Sequence, residues 1–275
     1  METRAGAEYA YAGDAAFLSK MALLKPVNAA VAVTVRFWQD VARHELLGRA
    51  VRVSARQFPE LHALACRCAD TLGIAEPRVY VTPQMGSLNA STYGTEDEAF
   101  IVLHSATVDH LTADELTFVI GHECGHIESE HVVYATAARF LARAAGTVVG
   151  WAVAPATVAL SSWSRAAEIT ADRAGLLCCQ DLDVATRVIV KMALGSKKLY
   201  EEVDVEEYLA QVGAAPGGVA RVGELFQRHP QLPKCIEALR QFARSRLYRQ
   251  RAATGDGGLS TVTLDERVRD ILKVW

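Results

Sequence analysis

The chain lacks the cysteine spacings of a structural zinc site or of a disulfide framework. None of its six cysteines stands in a C-x-x-C pair, the spacing that structural zinc sites commonly use. Two pairs lie too close in sequence for a typical disulfide framework. We therefore expect free, inert thiols in a reducing compartment, which favours a cytoplasmic protein. The six are Cys66, Cys68, Cys124, Cys178, Cys179 and Cys235.

The chain also lacks a surplus of charge of one sign. Lysine and arginine number 29 against 32 aspartate and glutamate residues, which gives a formal net charge of −3. Phosphate binding usually requires a surplus of basic residues. The chain has no such surplus, so we expect no nucleic-acid partner. Glu2, Glu8 and Asp14 interrupt the first residues, and no basic start leads into an apolar run. We therefore expect no signal peptide.

Long runs of large hydrophobic residues are missing as well. Residues 144–164 carry no charge and are long enough to cross a bilayer. However, they are mostly Ala, Val, Gly, Ser and Thr, and Pro155 weakens the segment further as an inserting helix. The composition favours a helix packed within the protein or lying on its surface. Membrane association through 144–164 is the alternative.

The pattern along the chain predicts an α+β fold that is mostly helical, with a small antiparallel sheet packed beside a central helix. Thr112 and Glu115 form the capping-box pattern that begins this helix. Another helix is expected to open at Pro59 and to end at Gly73. The strand candidates are 78–82, 88–93 and 99–103, and later helices are expected at about 164–177 and 181–195.

The motif most informative about chemistry is His-Glu-Cys-Gly-His at residues 122–126, the H-E-x-x-H pattern. On a helix, residues four apart lie about 40° apart around the axis and about 6 Å along it. His122 and His126 can therefore hold one metal ion together. Glu123 points aside, where it can take a proton from an attacking water molecule. The pattern predicts one zinc ion (Zn²⁺) per chain and zinc-assisted hydrolysis.

A catalytic zinc site needs a third protein ligand. His131 lies about 180° around the helix from His122, and nothing between His126 and His131 is expected to break that helix. We therefore expect His131 to lie on the surface or to pack against another helix.

Glu168 and Asp172 are the better candidates. They lie one helical turn apart, so that one could bind the metal while the other orients a histidine. The alternative is that both are solvated and pair with Arg165 and Arg173. Spacing alone leaves both interpretations open.

The motifs taken together resemble the HtpX-like and CAAX-prenyl-protease-like zinc metallopeptidases, a gluzincin family. The resemblance spans roughly Val51 to Arg240. Besides residues 122–126, it is carried by Arg56-Gln-Phe-Pro-Glu-Leu-His62, Leu88-Asn-Ala90, Thr112-Ala-Asp-Glu-Leu116, Ala167-Glu-Ile-Thr-Ala-Asp-Arg-Ala-Gly175 and His229-Pro230.

The resemblance implies roles that spacing leaves open. It implies that Glu168 is the third metal ligand and that Asp172 orients a ligand. Asn89 and Ala90 would belong to the edge strand beside the active helix, where a peptide pairs as an added strand. The alternative for these two residues is an interior strand that binds nothing.

The resemblance also implies that His229 stabilises the oxyanion. The alternative is a surface or helix-capping histidine. Cys235 stands where family members often carry an arginine, so the oxyanion side of the site departs from the family pattern.

We therefore expect a zinc metalloendopeptidase that hydrolyses extended or unfolded polypeptides, with Glu123 and His229 as its catalytic residues. Its parts would be an N-terminal helical extension at 1–50, a catalytic domain at 51–253 and a C-terminal tail with a short helix at 254–275. The rival is a zinc-bearing, chaperone-like binding module. Glu123 favours the enzyme, because a binding module needs no general base between its histidines. Other zinc-assisted hydrolysis, or a membrane protease acting on lipidated C-termini, are further alternatives.

Overall fold

The computed structural model describes residues 7–22, 48–94, 98–136, 150–214 and 231–273. His229 and residues 144–149 lie outside them. The described chain forms one four-stranded sheet and many helices, as the α+β prediction expects. In chain order the elements are α1 (Ala12–Ala22), β1 (Val51–Arg52), α2 (Pro59–Leu72), β2 (Arg78–Thr82), β3 (Ala90–Gly94), β4 (Ala99–His104), α3 (Ser105–His110), α4 (Ala113–Glu128), α5 (Gly150–Cys179), α6 (Leu182–Leu194), α7 (Lys197–Tyr200), α8 (Val205–Ala214), α9 (Leu232–Ala243), α10 (Arg246–Arg251) and α11 (Thr261–Leu272).

Local capping signals set several helix ends where the sequence predicts them. Helix α2 begins at Pro59 and ends before Gly73, whose left-handed backbone at φ 69° suits glycine. Helix α4 has the full capping box: the Thr112 side chain accepts from the Glu115 backbone, and the Glu115 side chain accepts from the Thr112 backbone. Helix α6 lies within the predicted range 181–195.

The sheet is mixed, whereas the sequence pattern predicts an antiparallel one. Its strand order is β1-β2-β4-β3. Strand β4 returns between β2 and β3, so it runs antiparallel to β3 and parallel to β2. This central strand is buried along most of its length, with Ile101 and Leu103 fully covered. Strand β3 is left at the edge.

Helices α4 and α5 form the centre of the core. Ile120 of α4 and Leu176 of α5 have no exposed surface. The first half of α5 packs against α1 through a smaller cluster, in which the ring of Phe17 stacks on that of Trp163 at 5.4 Å. The N-terminal segment is therefore attached directly to the helix that carries Glu168.

Helix α5 begins earlier than its predicted start near residue 164. It already includes Gly150, so neither Pro155 nor the serines before Ser164 mark its first turn. Within the ranges that the structure describes, no helix combines the length and apolar character needed to cross a membrane.

Candidate metal centre and active site

Glycines allow the two motif-bearing helices, α4 and α5, to approach closely. A Cβ atom at Gly125 would lie 2.5 Å from the Cβ of Ala174. One at Gly121 would lie 2.7 Å from the Cβ of Cys178. Larger residues at either glycine would force the helices apart. This close approach lets the carboxylates of α5 reach the histidines of α4.

The structure brings His122, His126 and Glu168 together. His122 Nε2 lies 3.3 Å from Glu168 Oε2, and His126 Nε2 lies 3.7 Å from Glu168 Oε1. One ligand atom from each residue lies within 4.8 Å of the other two. Atoms bound at about 2 Å in a tetrahedral zinc site lie about 3.3 Å apart. The donor atoms and their spacing therefore fit a divalent metal ion.

Asp172 contacts the ring nitrogen of His122 that does not face Glu168. His122 Nδ1 lies 2.9 Å from Asp172 Oδ1, which leaves Nε2 facing Glu168. Burial opposes protonation of His122, but hydrogen bonds and the charges of Asp172 and Glu168 outweigh it and raise its pKa well above the ordinary value. The two carboxylates therefore favour positive charge at His122, as a cation site requires.

Glu123 is buried beside the histidines and is held by the sheet. The Thr92 hydroxyl donates to Glu123 Oε2 at 2.6 Å, and Thr92 lies in the edge strand β3. Spacing along the chain gives no signal for this contact, since 31 residues separate the two. The bond fixes the Glu123 carboxylate between the histidines and the sheet edge.

A cavity of about 120 Å³ opens beside these groups. His122, Glu123 and Glu168 contribute its polar part. Its apolar lining includes Val119, Ile189, Met192 and Leu232. The arrangement can hold an uncharged side chain next to the candidate metal centre.

Helix α4 does not continue to His131, although the sequence gives no sign of a break before it. Helix α4 ends at Glu128, and Glu130 takes a left-handed backbone at φ 57°, so the chain turns before His131. Glu130 is not a glycine, and neither glycine nor proline marks the turn. His131 is fully buried, and its Nδ1 lies 2.9 Å from Nδ1 of His126. The expected continuous helix to His131 is therefore wrong.

The other face of His131 contacts Asp14. His131 Nε2 lies 2.8 Å from Asp14 Oδ2, although 117 residues separate them in the sequence. Sequence reasoning missed both residues as parts of the site. Only a buried aspartate in an N-terminal segment could have indicated Asp14, and one sequence does not show which aspartates are buried.

Of the other predicted site residues, two line the cavity, and His229 lies outside the described residues. Asn89 and Ala90 line the cavity. The Asn89 backbone N–H already donates to Thr107 Oγ1, and its carbonyl accepts from the His104 N–H. Cys235 also lines the cavity, and burial followed by the Asp172 and Glu168 charges raises the pKa of its thiol well above the ordinary value.

Comparisons with known proteins agree with this site. The model of peptidase family M48 matches residues 55–243. A protein named plastoglobule-localized metallopeptidase 48, chloroplastic, from Arabidopsis thaliana, is 36% identical over 171 residues, which cover 61% of this chain and 49% of that protein. The match thus spans about half of the Arabidopsis protein.

Two bacterial relatives match over more of their length. A protease HtpX homolog of Salinibacter ruber is 25% identical over 76% of this chain and 83% of its own. Protease HtpX homolog 1 of Streptomyces coelicolor is 26% identical over 81% of this chain and 83% of its own. No solved structure matches.

The matched segment, 55–243, contains both helices that supply the histidines and the glutamate, and it covers well over half of the chain. M48 members are metal-dependent, which agrees with the group of two imidazoles and one carboxylate. The chain belongs to peptidase family M48 and is a metallopeptidase, a hydrolase that acts on peptide bonds.

Proposed function

We propose that the chain is a zinc-dependent metalloendopeptidase that cleaves extended or unfolded polypeptides. The observation that carries the proposal is the spacing of the His122, His126 and Glu168 donor atoms, all within 4.8 Å of one another, with Glu123 buried beside them. Two histidines and one glutamate are a donor set of catalytic zinc sites. One catalytic zinc ion per chain follows from this set.

Each residue then has one role. Zinc held by these donors would polarise a peptide carbonyl and lower the pKa of a coordinated water. Glu123 takes the proton of the attacking water and later delivers it to the leaving amine. Thr92 holds the Glu123 carboxylate in place. Asp172 fixes the ring of His122, so that Nε2 faces the metal position.

The edge strand supports an extended substrate. Strand β3 pairs with β4 on one side, and no other strand of the described sheet covers its far side. A peptide can add to such an edge as a further strand. Because the backbone of Asn89 is already paired, we expect pairing along β3 from Ala90 onward and a contact through the Asn89 side chain. The apolar part of the cavity then accepts an uncharged substrate side chain.

His229 is proposed to donate a hydrogen bond to the developing oxyanion. It lies outside the described residues, so its support is the sequence motif alone. Replacement by alanine should lower kcat by about 10²-fold with unchanged zinc content. An unchanged kcat would remove His229 from the catalytic residues.

The central experiment compares digestion of unfolded casein by the wild type, with and without a chelator, and by Glu123→Gln. The wild type should contain about one tightly bound zinc ion per chain and lose activity with the chelator. Glu123→Gln should retain zinc and lose about 10²–10⁴-fold in rate. Turnover by this variant at the wild-type rate would disprove the role of the base.

A second variant tests the ligands. His122→Ala should lose zinc, since it removes one of the three donors, and full zinc retention would disprove the assignment. The rival chaperone-like function predicts binding of unfolded casein without cleavage by the wild type. Location remains proposed as cytoplasmic, with association to a membrane surface as the alternative that a liposome flotation assay distinguishes.

A further inference from the structure

Behind His126, two fully covered polar residues connect the metal site to the N-terminal segment. Asp14, in the first turn of α1, is 1% exposed, and His131 has no exposed surface. The Asp14 carboxylate also accepts hydrogen bonds from Trp163 Nε1 at 2.9 Å and from Thr170 Oγ1 at 2.7 Å. Three donors thus stabilise this buried charge and fix its position.

The bonding pattern agrees with metal binding in one arrangement of protons. His126 must leave Nε2 free for the metal, so its Nδ1 carries the proton and donates to Nδ1 of His131. His131 then carries its own proton on Nε2 and donates it to Asp14. Metal-binding histidines usually donate a hydrogen bond from their second ring N–H to a carboxylate, carbonyl or water. Such partners fix the orientation of the ring.

We propose that Asp14 is a positioning residue that orients the metal ligand His126 through His131. The inference rests on the proposed function, and it assigns to a residue outside the family-matched segment 55–243 a role in the metal site. The alternative explanation is that this hydrogen-bond network only attaches the N-terminal segment to the core.

A matched control separates the two explanations. The Tyr9 hydroxyl donates to the Glu128 carboxylate, so it also attaches the N-terminal segment to helix α4, without contacting a histidine. Tyr9→Phe therefore weakens the attachment and leaves the Asp14 path intact. Asp14→Asn removes the charge that accepts from His131 with little change in volume.

The experiment measures zinc affinity by competition with a chelator, at a temperature where circular dichroism shows every variant folded. Asp14→Asn should raise the zinc Kd by about 10–100-fold, and the visible spectrum of its cobalt form should differ from that of the wild type. Tyr9→Phe should lower the melting temperature while its zinc Kd stays within about twofold of the wild type. His131→Gln, which keeps a polar side chain, provides a second test if Asp14→Asn does not fold.

The outcomes are distinct. A wild-type protein that binds no zinc would contradict the proposed function itself. Normal zinc affinity in Asp14→Asn, or equal weakening by Tyr9→Phe, would overturn the positioning role alone. Where only His131→Gln folds, unchanged zinc affinity in that variant would overturn it.

A second, independent cluster of side chains that could hold a metal ion lies on helix α2 and the loop after it. His62 and Cys66 stand four residues apart, on one face of the helix, and Glu76 lies shortly before β2. His62 Nδ1 lies 3.3 Å from Glu76 Oε1 and 3.8 Å from Cys66 Sγ. None of the three lines the catalytic cavity.

The spacing in this cluster matches that in the catalytic site. Its three ligand atoms also lie within 4.8 Å of one another. An imidazole, a thiolate and a carboxylate are all zinc ligands, and the thiolate favours zinc and similar transition metals over magnesium or calcium. Side-chain exposures of 24% for His62 and 57% for Glu76 leave the site open to solvent.

We infer that His62, Cys66 and Glu76 form an accessory site for a thiophilic divalent metal, weaker than the catalytic site because it is exposed. Binding would displace the Cys66 thiol proton to solvent. The competing explanation is a surface hydrogen bond between His62 and Glu76 that holds the loop and binds nothing.

Cobalt distinguishes this site, because the proposed catalytic donors include no sulfur. The full-length chain carrying His122→Ala should bind Co²⁺ and show a thiolate-to-cobalt charge-transfer band in the near ultraviolet. Cys66→Ser and His62→Ala in that background should abolish the band. Cys68→Ser should retain it, because the Cys68 thiol is buried and donates to the carbonyl of Thr117. No band, or a band that survives Cys66→Ser, would overturn the accessory site.

Discussion

Asp265→Ala should lower the free energy of unfolding by about 3–5 kcal/mol, because it leaves the guanidinium of Arg173 buried without its counter-charge. The Arg173 side chain is 1% exposed, and its Nη2 lies 2.8 Å from Asp265 Oδ1. Its Nη1 donates to the carbonyl of Tyr9 at 3.0 Å. Asp265 Oδ2 also accepts from the backbone of Ala12, so the substitution removes a second bond to the N-terminal segment.

The predicted loss of unfolding free energy can be measured directly. Whole proteins are stable by about 5–15 kcal/mol, so this change is a large fraction of the total. At about 2–4 °C per kcal/mol for a domain of this size, the melting temperature should fall by roughly 6–20 °C. Thermal and urea denaturation followed by circular dichroism measure both quantities. Asp270→Ala is the matched control on the same helix, because Asp270 pairs with Lys273 at the surface.

The same reasoning predicts partial rescue. Burial lowers the pKa of Arg173 below its ordinary value, although the Asp265 charge opposes this. Replacing the arginine as well, by Arg173→Met, removes the uncompensated charge, so the double variant should be more stable than Asp265→Ala alone. Equal melting of Asp265→Ala and Asp270→Ala, or no rescue in the double variant, would refute the explanation.

Three further predictions concern the metal site. Thr92→Val should lower kcat/KM for casein about tenfold with unchanged zinc content, because Glu123 loses its hydrogen bond; a normal rate would show that the base needs no support. Gly125→Ala should destabilise the fold by about 1–3 kcal/mol in thermal melts and weaken zinc binding, since its Cβ would press on α5. Unchanged zinc affinity would show that the helices can adjust. As the pH is lowered, zinc affinity should begin to fall at a higher pH than it would for a site with an ordinary histidine. The reason is that His122 has a raised pKa and must lose its proton to bind zinc. Asp172→Asn should move this loss to lower pH in chelator competition, and an unmoved profile would contradict the assignment.

Features coded by a few neighbouring residues could be predicted from the sequence. Pro59, Gly73 and the Thr112–Glu115 capping box act within one helical turn, so they fix helix ends without knowledge of the rest of the fold. The H-E-x-x-H segment is equally local, because helix geometry alone brings its two histidines together. These features gave the active helix and two of the three donor residues.

Features that depend on distant contacts could not be predicted. The parallel pairing of β2 with β4 depends on β4 returning between β2 and β3, which no local pattern encodes. The turn before His131 uses a left-handed Glu130 and not a glycine or proline, so nothing in the residue types announces it. Helix α5 already includes Gly150, although Pro155 and the serines before Arg165 favour a later start.

The two histidines of the motif therefore differ in how their orientation is specified. His122 is held by Asp172, which lies on the same helix as Glu168, so the helix that supplies a ligand also orients one. His126 contacts His131, and His131 in turn contacts Asp14, which lies in the N-terminal helix α1. The first arrangement is fixed once α4 and α5 pack, whereas the second needs the N-terminal segment in place. Attachment of that segment should therefore affect the geometry at His126 more than that at His122.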